Sequence, residues 1–177
     1  MRTLISSKKR KKLMRLILEN PERIPGVREA AKESGVSPAS ASVLMSSLGK
    51  DGFVKKGKLD LGNPEVRALK TLFNVERAAP AVEVLRKSIP GVKGVGIFGS
   101  WAQGTNQKDS DIDVWVKVEE EPEVLKAAEA RKVLEKKLGA GVDLVFLDEK
   151  RMKGHMEKNP VFYFSLHYSV VLWGEGV

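Results

Sequence analysis

The segment 111–118, Asp-Ile-Asp-Val-Trp-Val-Lys-Val, constrains this chain more than any other part of it. It reads as a β-strand, and residues two apart on a strand face the same way. Asp111 and Asp113 therefore project together, while Ile112 enters the core. Two carboxylates held side by side repel each other unless a cation sits between them. Ligands that are all oxygen select a hard ion, most often Mg²⁺, completed by water and phosphate oxygens.

Upstream, the apolar strand 92–98 ends in Gly99-Ser100, with ten residues between that pair and Asp111. A glycine there lets the backbone approach a phosphate, and N–H groups at the start of the following helix suit anionic oxygen. Ser100 adds a hydroxyl. Downstream, residues 142–147 form a third apolar strand that carries Asp143. Placed beside the second strand, it brings a third carboxylate to the same pocket. Phosphoryl-type transfer gives a reason for three: one ion activates an attacking hydroxyl while another holds a triphosphate. In that scheme Asp111 and Asp113 bridge two ions. Asp143 completes the ion nearest the acceptor and helps remove its proton.

Helical spacing surrounds these strands. Residues 64–88 are expected to be helical with a break at Ala78-Ala79-Pro80, and residues 122–138 form an amphipathic helix. Residues 148–157 and 160–167 read as helices, and 169–173 as a final strand. Trp101 either stacks on a nucleobase or packs inward, and Trp115 shares the face of Asp113. His155 and His167 stand apart, with no partner at metal-ligand spacing. The group Phe162, Tyr163, Phe164 and Tyr168 reads as core or as a subunit interface. Glu119-Glu120-Glu121 precedes the helix begun by Pro122, where negative charge suits the helix dipole.

Gly99-Ser100, ten residues, Asp-x-Asp, then a distant strand carboxylate resembles the signature of the DNA polymerase beta-like nucleotidyltransferases. The string Gly99-Ser-Trp-Ala-Gln-Gly104 followed by Ser110-Asp-Ile-Asp113 is similar to the smallest branch, the minimal nucleotidyltransferases. The resemblance covers residues 80–174. It implies transfer of a nucleoside monophosphate, commonly AMP from ATP, to a hydroxyl. It also implies two Mg²⁺ ions at Asp111, Asp113 and Asp143, and phosphate binding by Gly99, Ser100, Gly104 and Ser110. Some minimal members pair with a HEPN-domain toxin and silence it by adenylylating a tyrosine, so a toxin–antitoxin partner is expected. One departure stands out: the residue before Gly104 is often Arg in relatives and is Gln103 here.

The N-terminal half has a different character. Residues 1–77 hold 17 basic and 8 acidic side chains, a net +9, while residues 78–177 hold 14 and 15, a net −1. A basic part suits a polyanion, and a near-neutral part accommodates a carboxylate cluster. Helical patterns cover residues 8–20, with Leu4 ahead of them, then 27–34 and 37–50. Ser37 is the N-cap and Pro38 the first helical residue of the last of these. Two short strands follow around Lys56-Gly57. The run from Val27 to Leu61, with Ser34-Gly35 and Asp51-Gly52 as turns, looks like a winged helix-turn-helix. That resemblance implies DNA contacts from Ser40, Ser46, Ser47 and Lys50 on the recognition helix, and from Lys55, Lys56 and Lys58 on the hairpin. Winged modules also serve as protein-binding or dimerisation surfaces, so a homodimer is one candidate assembly.

The expected class is α+β. A winged helix-turn-helix covers residues 1–62, a helical connector 63–79, and a polymerase-beta-like nucleotidyltransferase fold, a mixed sheet flanked by helices, residues 80–177. The absence of cysteine excludes disulfides and thiolate metal sites. No apolar run reaches the roughly 18 to 20 residues of a membrane span, and the N-terminus lacks a signal-peptide pattern. The expected location is the cytoplasm. Two functional readings follow. One is a Mg²⁺-dependent nucleotidyltransferase joined to a DNA-binding module. The other is a transcriptional regulator whose nucleotidyltransferase-like domain senses nucleotide or holds a partner without catalysis.

Overall fold

The computed structural model describes residues 7–177. Leu4, expected to precede the first helix, lies outside the described residues. The chain divides into two compact units, residues 1–70 and 71–177. The division falls inside the stretch 63–79 expected to be a connector.

In the first unit, helix α1 (Lys8–Glu19) starts at Ser7, whose Oγ accepts from the Arg10 N–H at 3.2 Å. Its buried side is Leu13, Met14, Ile17 and Leu18, the i, i+4 spacing of an amphipathic helix. Helix α2 (Val27–Ser34) ends at Gly35, which has the left-handed φ of 74°. Helix α3 (Pro38–Lys50) is capped by Ser37 and buries Ala41, Leu44 and Leu48. Strands β1 (Val54–Lys55) and β2 (Lys58–Leu59) pair antiparallel around Lys56 and Gly57, which both have positive φ. That is the twist a two-residue hairpin turn requires. Within this unit the buried Lys70 donates from Nζ to the Leu18 carbonyl at 3.0 Å, meeting an otherwise open acceptor near the end of α1.

Helix α4 (Pro64–Ala78) contains the division between the units. Its residues from Thr71 onward belong to the second, with α5 (Pro80–Ser88), β3 (Val92–Ile97), α6 (Gly99–Gln103) and β4 (Ile112–Val118). There follow α7 (Val124–Leu138), β5 (Val142–Leu147), α8 (Glu149–Lys158), α9 (Pro160–His167) and β6 (Val170–Gly174). Helix α7 begins two residues later than its sequence pattern suggested, with Glu123 as cap. The triplet 119–121 therefore does not sit on the helix start. Glu119 instead pairs with Lys93 and Glu121 with Arg151.

The strand order is β5-β4-β3-β6. Strands β3 and β4 are antiparallel, as are β3 and β6, while β4 and β5 are parallel. This is a mixed sheet, and helices cover both faces. On one face Val95, Ile97, Ile112, Val114, Val116 and Val142 pack with Ala81 and Leu85 of α5 and Leu134 and Leu138 of α7. On the other, Trp115 and Leu147 pack with Phe98, Leu166 of α9, Phe162 and Met152. The C-terminal aromatics thus divide. Phe162 joins this second core, edge-on to Phe98 at 5.8 Å, while Phe164 and Tyr168 remain exposed. Among the described residues no helix is long and apolar enough to cross a membrane.

Trp115 is fully buried and lies over Gly96, its register partner on β3. A Cβ at Gly96 would clash with the indole ring, against Cε2 and Cζ2. Gly96→Ala should therefore displace Trp115 and destabilise the protein by about 1–3 kcal/mol, the usual cost of overpacking. Chemical denaturation of the variant measures it; an unchanged midpoint would show that the indole yields freely.

Candidate active site

The backbone sets the site at one end of the central strands. The Phe98 N–H donates to the Asp113 carbonyl at 3.0 Å, carrying the pairing of β3 and β4 one step past Ile97 and Val114. Gly99 then leaves the strand with φ +60°, and its Cα lies so close to the Asp113 carboxylate that any side chain there would collide with Oδ2. This is a closer reason for glycine than the expected approach of a phosphate: position 99 must be bare for Asp113 to hold its place. Gly141 does the same for Asp111, whose Oδ1 occupies the space of a Cβ. The Ile112 N–H donates to the Gly141 carbonyl at 2.8 Å, starting the parallel ladder.

That ladder puts Asp113 opposite Asp143. Register partners on neighbouring strands point to the same face, so Asp143 joins the face that already carries Asp113 and Trp115. Asp113 is half-buried, and Asp111 and Asp143 are exposed. Burial pushes the Asp113 carboxyl above its ordinary range, and the charges of Asp143 and then Asp111 push it further the same way. Negative charge is thus crowded here, and the donors are all hard oxygens. That is the chemistry of a site for a divalent cation such as Mg²⁺. Among the described residues no group of three or more His, Cys, Asp or Glu is already gathered into a metal cage.

Helix α6 carries Ser100, half-buried beside Gly99. It is pinned from behind. Trp101 is buried, and its indole N–H donates to the Ser110 carbonyl at 3.3 Å. Asn74 of α4 donates from Nδ2 to the Trp101 carbonyl at 2.8 Å and to Asn106 Oδ1 at 2.9 Å. The Thr71 hydroxyl donates to the Ala102 carbonyl at 3.0 Å. Of the two roles open to Trp101, packing is therefore the one it has. The Ser110 hydroxyl accepts from the Gln107 N–H at 2.9 Å, so its first use is to shape the loop. Gly104 ends α6 with φ +68° and donates its N–H to the Ser100 carbonyl.

Sequence reasoning missed Arg131 and Glu135 of α7. Arg131 Nη2 lies 3.5 Å from Asp143 Oδ1, and its Nε donates to Glu135 Oε1 at 3.0 Å. The hydrogen bond to Glu135 does most to hold the guanidinium charged, and the fields of Asp143 and Asp111 reinforce it. Nothing in the sequence separates this i, i+4 pair from the other charges of a solvated helix. Asn74 did leave a sign: it is an amide inside the apolar run Leu72-Phe73-Asn74-Val75. Buried amides there need partners.

In the N-terminal unit the residues expected to contact DNA fall into two groups. Ser40 receives the Ser37 hydroxyl at 2.9 Å, Ser47 donates to Asp51 at 3.2 Å, Lys55 pairs with Asp60 and Lys58 with Glu22. Ser46, Lys50 and Lys56 are exposed.

A mixed sheet with aspartates on neighbouring strands beside a Gly-Ser corner defines a carboxylate-lined group-transfer site. A family model, the nucleotidyltransferase domain, matches residues 81–167. The chain is 40% identical over 78 residues to protein adenylyltransferase MntA of Thermococcus cleftensis, covering 44% of this chain and 79% of that protein. It is 36% identical over 77 residues to a Methanocaldococcus jannaschii protein named provisionally as a protein adenylyltransferase, covering 44% of this chain and 90% of the relative. A crystal structure of a toxin–antitoxin with AMP-PNP is similar at 26% identity and a TM-score of 0.45, over 58% of this chain and 74% of that one. This chain belongs to the nucleotidyltransferase family and is a nucleotidyltransferase.

The raised Asp113 pKa has a consequence for stability. An acid whose folded-state pKa exceeds its unfolded value costs stability at every pH above its unfolded pKa, where the unfolded state ionises more readily, and nothing below it. Asp113→Asn should therefore melt higher than the parent at pH 7 in chelator. The gain should shrink as pH falls through the carboxylate range towards about 4. Thermal melts at several pH values test this, and a variant less stable at pH 7 would refute it.

Proposed function

We propose that this nucleotidyltransferase moves AMP from ATP to a hydroxyl of a protein, with a HEPN-type toxin as the acceptor, and that its N-terminal unit is a winged helix-turn-helix that binds DNA. The reading of the site rests on one observation above all: Asp143 in register beside Asp113, next to the Gly99-Ser100 corner. Relatives named as protein adenylyltransferases support AMP as the group moved and protein as the acceptor. The resemblance to minimal nucleotidyltransferases supports the toxin, and the need for ATP supports a cytoplasmic location.

In the reaction the acceptor oxygen forms a bond to the α-phosphorus of ATP. The bond from that phosphorus to the β-phosphate oxygen breaks, and pyrophosphate leaves. The hydroxyl proton passes to the exposed carboxylate of Asp143, which serves as general base. The backbone at Gly99 and the hydroxyl of Ser100 hold phosphate oxygens, and Gly104 and Ser110 keep the α6 loop in shape for them. Asp111, Asp113 and Asp143 would hold two Mg²⁺ ions, which when bound offset the charge of the triphosphate and of the leaving oxygen. Asp113 answers to that need, since burial first and then its neighbours' charges disfavour its ionised form.

DNA binding is supported by the +9 net charge of residues 1–77 against −1 for the remainder, and by the exposure of Ser46, Lys50 and Lys56 on α3 and the hairpin. Lys55 and Lys58 would exchange their carboxylate partners for phosphates.

Transfer is tested with Mg²⁺, cell extract and ATP labelled on either the α- or the γ-phosphate. The α-label should appear on protein and the γ-label should not. Asp143→Asn should lower incorporation by about a hundredfold or more, the usual worth of a general base. ATP that binds but is never transferred would defeat the catalytic reading in favour of a nucleotide-sensing regulator. For DNA, gel shifts with the Lys55→Ala/Lys56→Ala/Lys58→Ala variant should show weaker binding. The slope of log affinity against log salt should be shallower by about 0.9 for each phosphate that the variant no longer neutralises. An unaltered slope would remove the hairpin from the interface.

A further inference from the structure

A triphosphate entering this site meets the charges of Asp111, Asp113 and Asp143, with Glu135 close behind. The Gly99–Gln103 helix that would receive it carries no charged side chain. Arg77, which packs on Trp101 of that helix, is committed to the fold. Its guanidinium stacks 5.3 Å from the Trp101 ring and donates to the carbonyls of Leu138 and Gly139. Among the described residues Arg131 is the one basic side chain in an ion pair with any of the three aspartates.

The geometry of that pair suits a movable group. At 3.5 Å, Arg131 Nη2 and Asp143 Oδ1 are further apart than the 2.7–2.9 Å of a firm charge-assisted hydrogen bond. Both side chains are about half exposed. The Nε bond to Glu135, one helical turn on, keeps the stem aimed at the pocket while leaving part of the guanidinium fork available. A planar fork of donors matches phosphate oxygens as well as it matches a carboxylate.

We propose that Arg131 is a nucleotide-binding residue that rests on Asp143 in the free protein and passes to the triphosphate when ATP enters. This rests on the nucleotidyl-transfer reading above and adds to it how the site is charged and released. In the free protein Arg131 partly neutralises Asp143 and so competes with a cation for that carboxylate. Once the guanidinium engages phosphate, Asp143 is released to act on the acceptor. Arg131 supplies, from α7, the positive charge that the α6 loop lacks.

Two affinities should then move in opposite directions when Arg131 is removed. Calorimetric titration of Arg131→Ala with Mn²⁺ alone should show tighter binding than the parent, by a few-fold. Titration with a non-transferable ATP analogue, carrying methylene between its α- and β-phosphates, in Mg²⁺ should show binding weaker by roughly tenfold, as for loss of one charged hydrogen bond. Arg131→Lys should recover part of the analogue affinity and bring Mn²⁺ back towards the parent value. Glu135→Gln should weaken the analogue less than Arg131→Ala does. Because Arg131 is exposed and alanine favours helix, the variant should remain folded. Unchanged analogue binding in Arg131→Ala, or both affinities shifting the same way, would overturn the assignment. If Asp143→Asn abolishes transfer while Arg131→Ala binds the analogue normally, this inference alone falls. A parent protein that binds no analogue defeats the transfer reading as well.

Discussion

The second unit of this protein is organised around like charges brought together. Strands β4 and β5 run parallel with Asp113 opposite Asp143, and Asp111 stands at the head of the same ladder. Burial does most to raise the Asp113 pKa, and the charges of Asp143 and Asp111 push it further the same way. A fold tolerates such a site only if the rest of the structure holds it in place. What secures it is the apolar sheet: Ile112, Val114 and Val142 are buried on the face away from the aspartates. Turning Asp113 or Asp143 away would require slipping a strand by one residue, which would expose that core.

The parts around the aspartates follow from the same need. Gly99 and Gly141 are bare because carboxylate oxygens occupy the positions their side chains would take. Helix α6 has only five residues and little stability of its own, so it borrows order from Asn74, Thr71 and the buried Trp101. Those bonds run to backbone carbonyls, which place the helix without using the Ser100 hydroxyl. On the same face of the sheet, Trp115 and Leu147 close the floor with help from α8 and α9. The sheet therefore has one polar end for chemistry and two apolar faces for stability.

Charge is partitioned along the chain with the same logic. The excess of positive charge lies in residues 1–77, and the remainder is close to neutral. In the second unit much of the local charge is already paired, Lys93 with Glu119, Lys117 with Glu175 and Arg131 with Glu135. Exposed pairs of this kind add little to stability. Their effect on a site is larger, since they decide which cation is free to meet an incoming phosphate. Ser46, Lys50 and Lys56 of the first unit are exposed.

The strands were legible in the sequence because runs such as 111–118 and 142–147 alternate or sustain apolar residues at strand length. The helix ends were legible where Ser, Pro and Gly mark them, as at Ser37, Pro38 and Gly35, and least so at α7, where Pro122 suggested a start that falls at Val124. The candidate site was legible from Gly99, Ser100, Asp111, Asp113 and Asp143. Other features belonged to tertiary structure alone. Only the order β5-β4-β3-β6 made Asp113 and Asp143 neighbours, since pairing between strands about thirty residues apart leaves no local mark on either. Only packing decided that Trp101 faces inward and that Ser110 shapes a loop. Arg131 gained meaning because α7 lies alongside β5. Local pattern sets what each segment is, whereas which charges meet is set by contacts between segments distant in sequence.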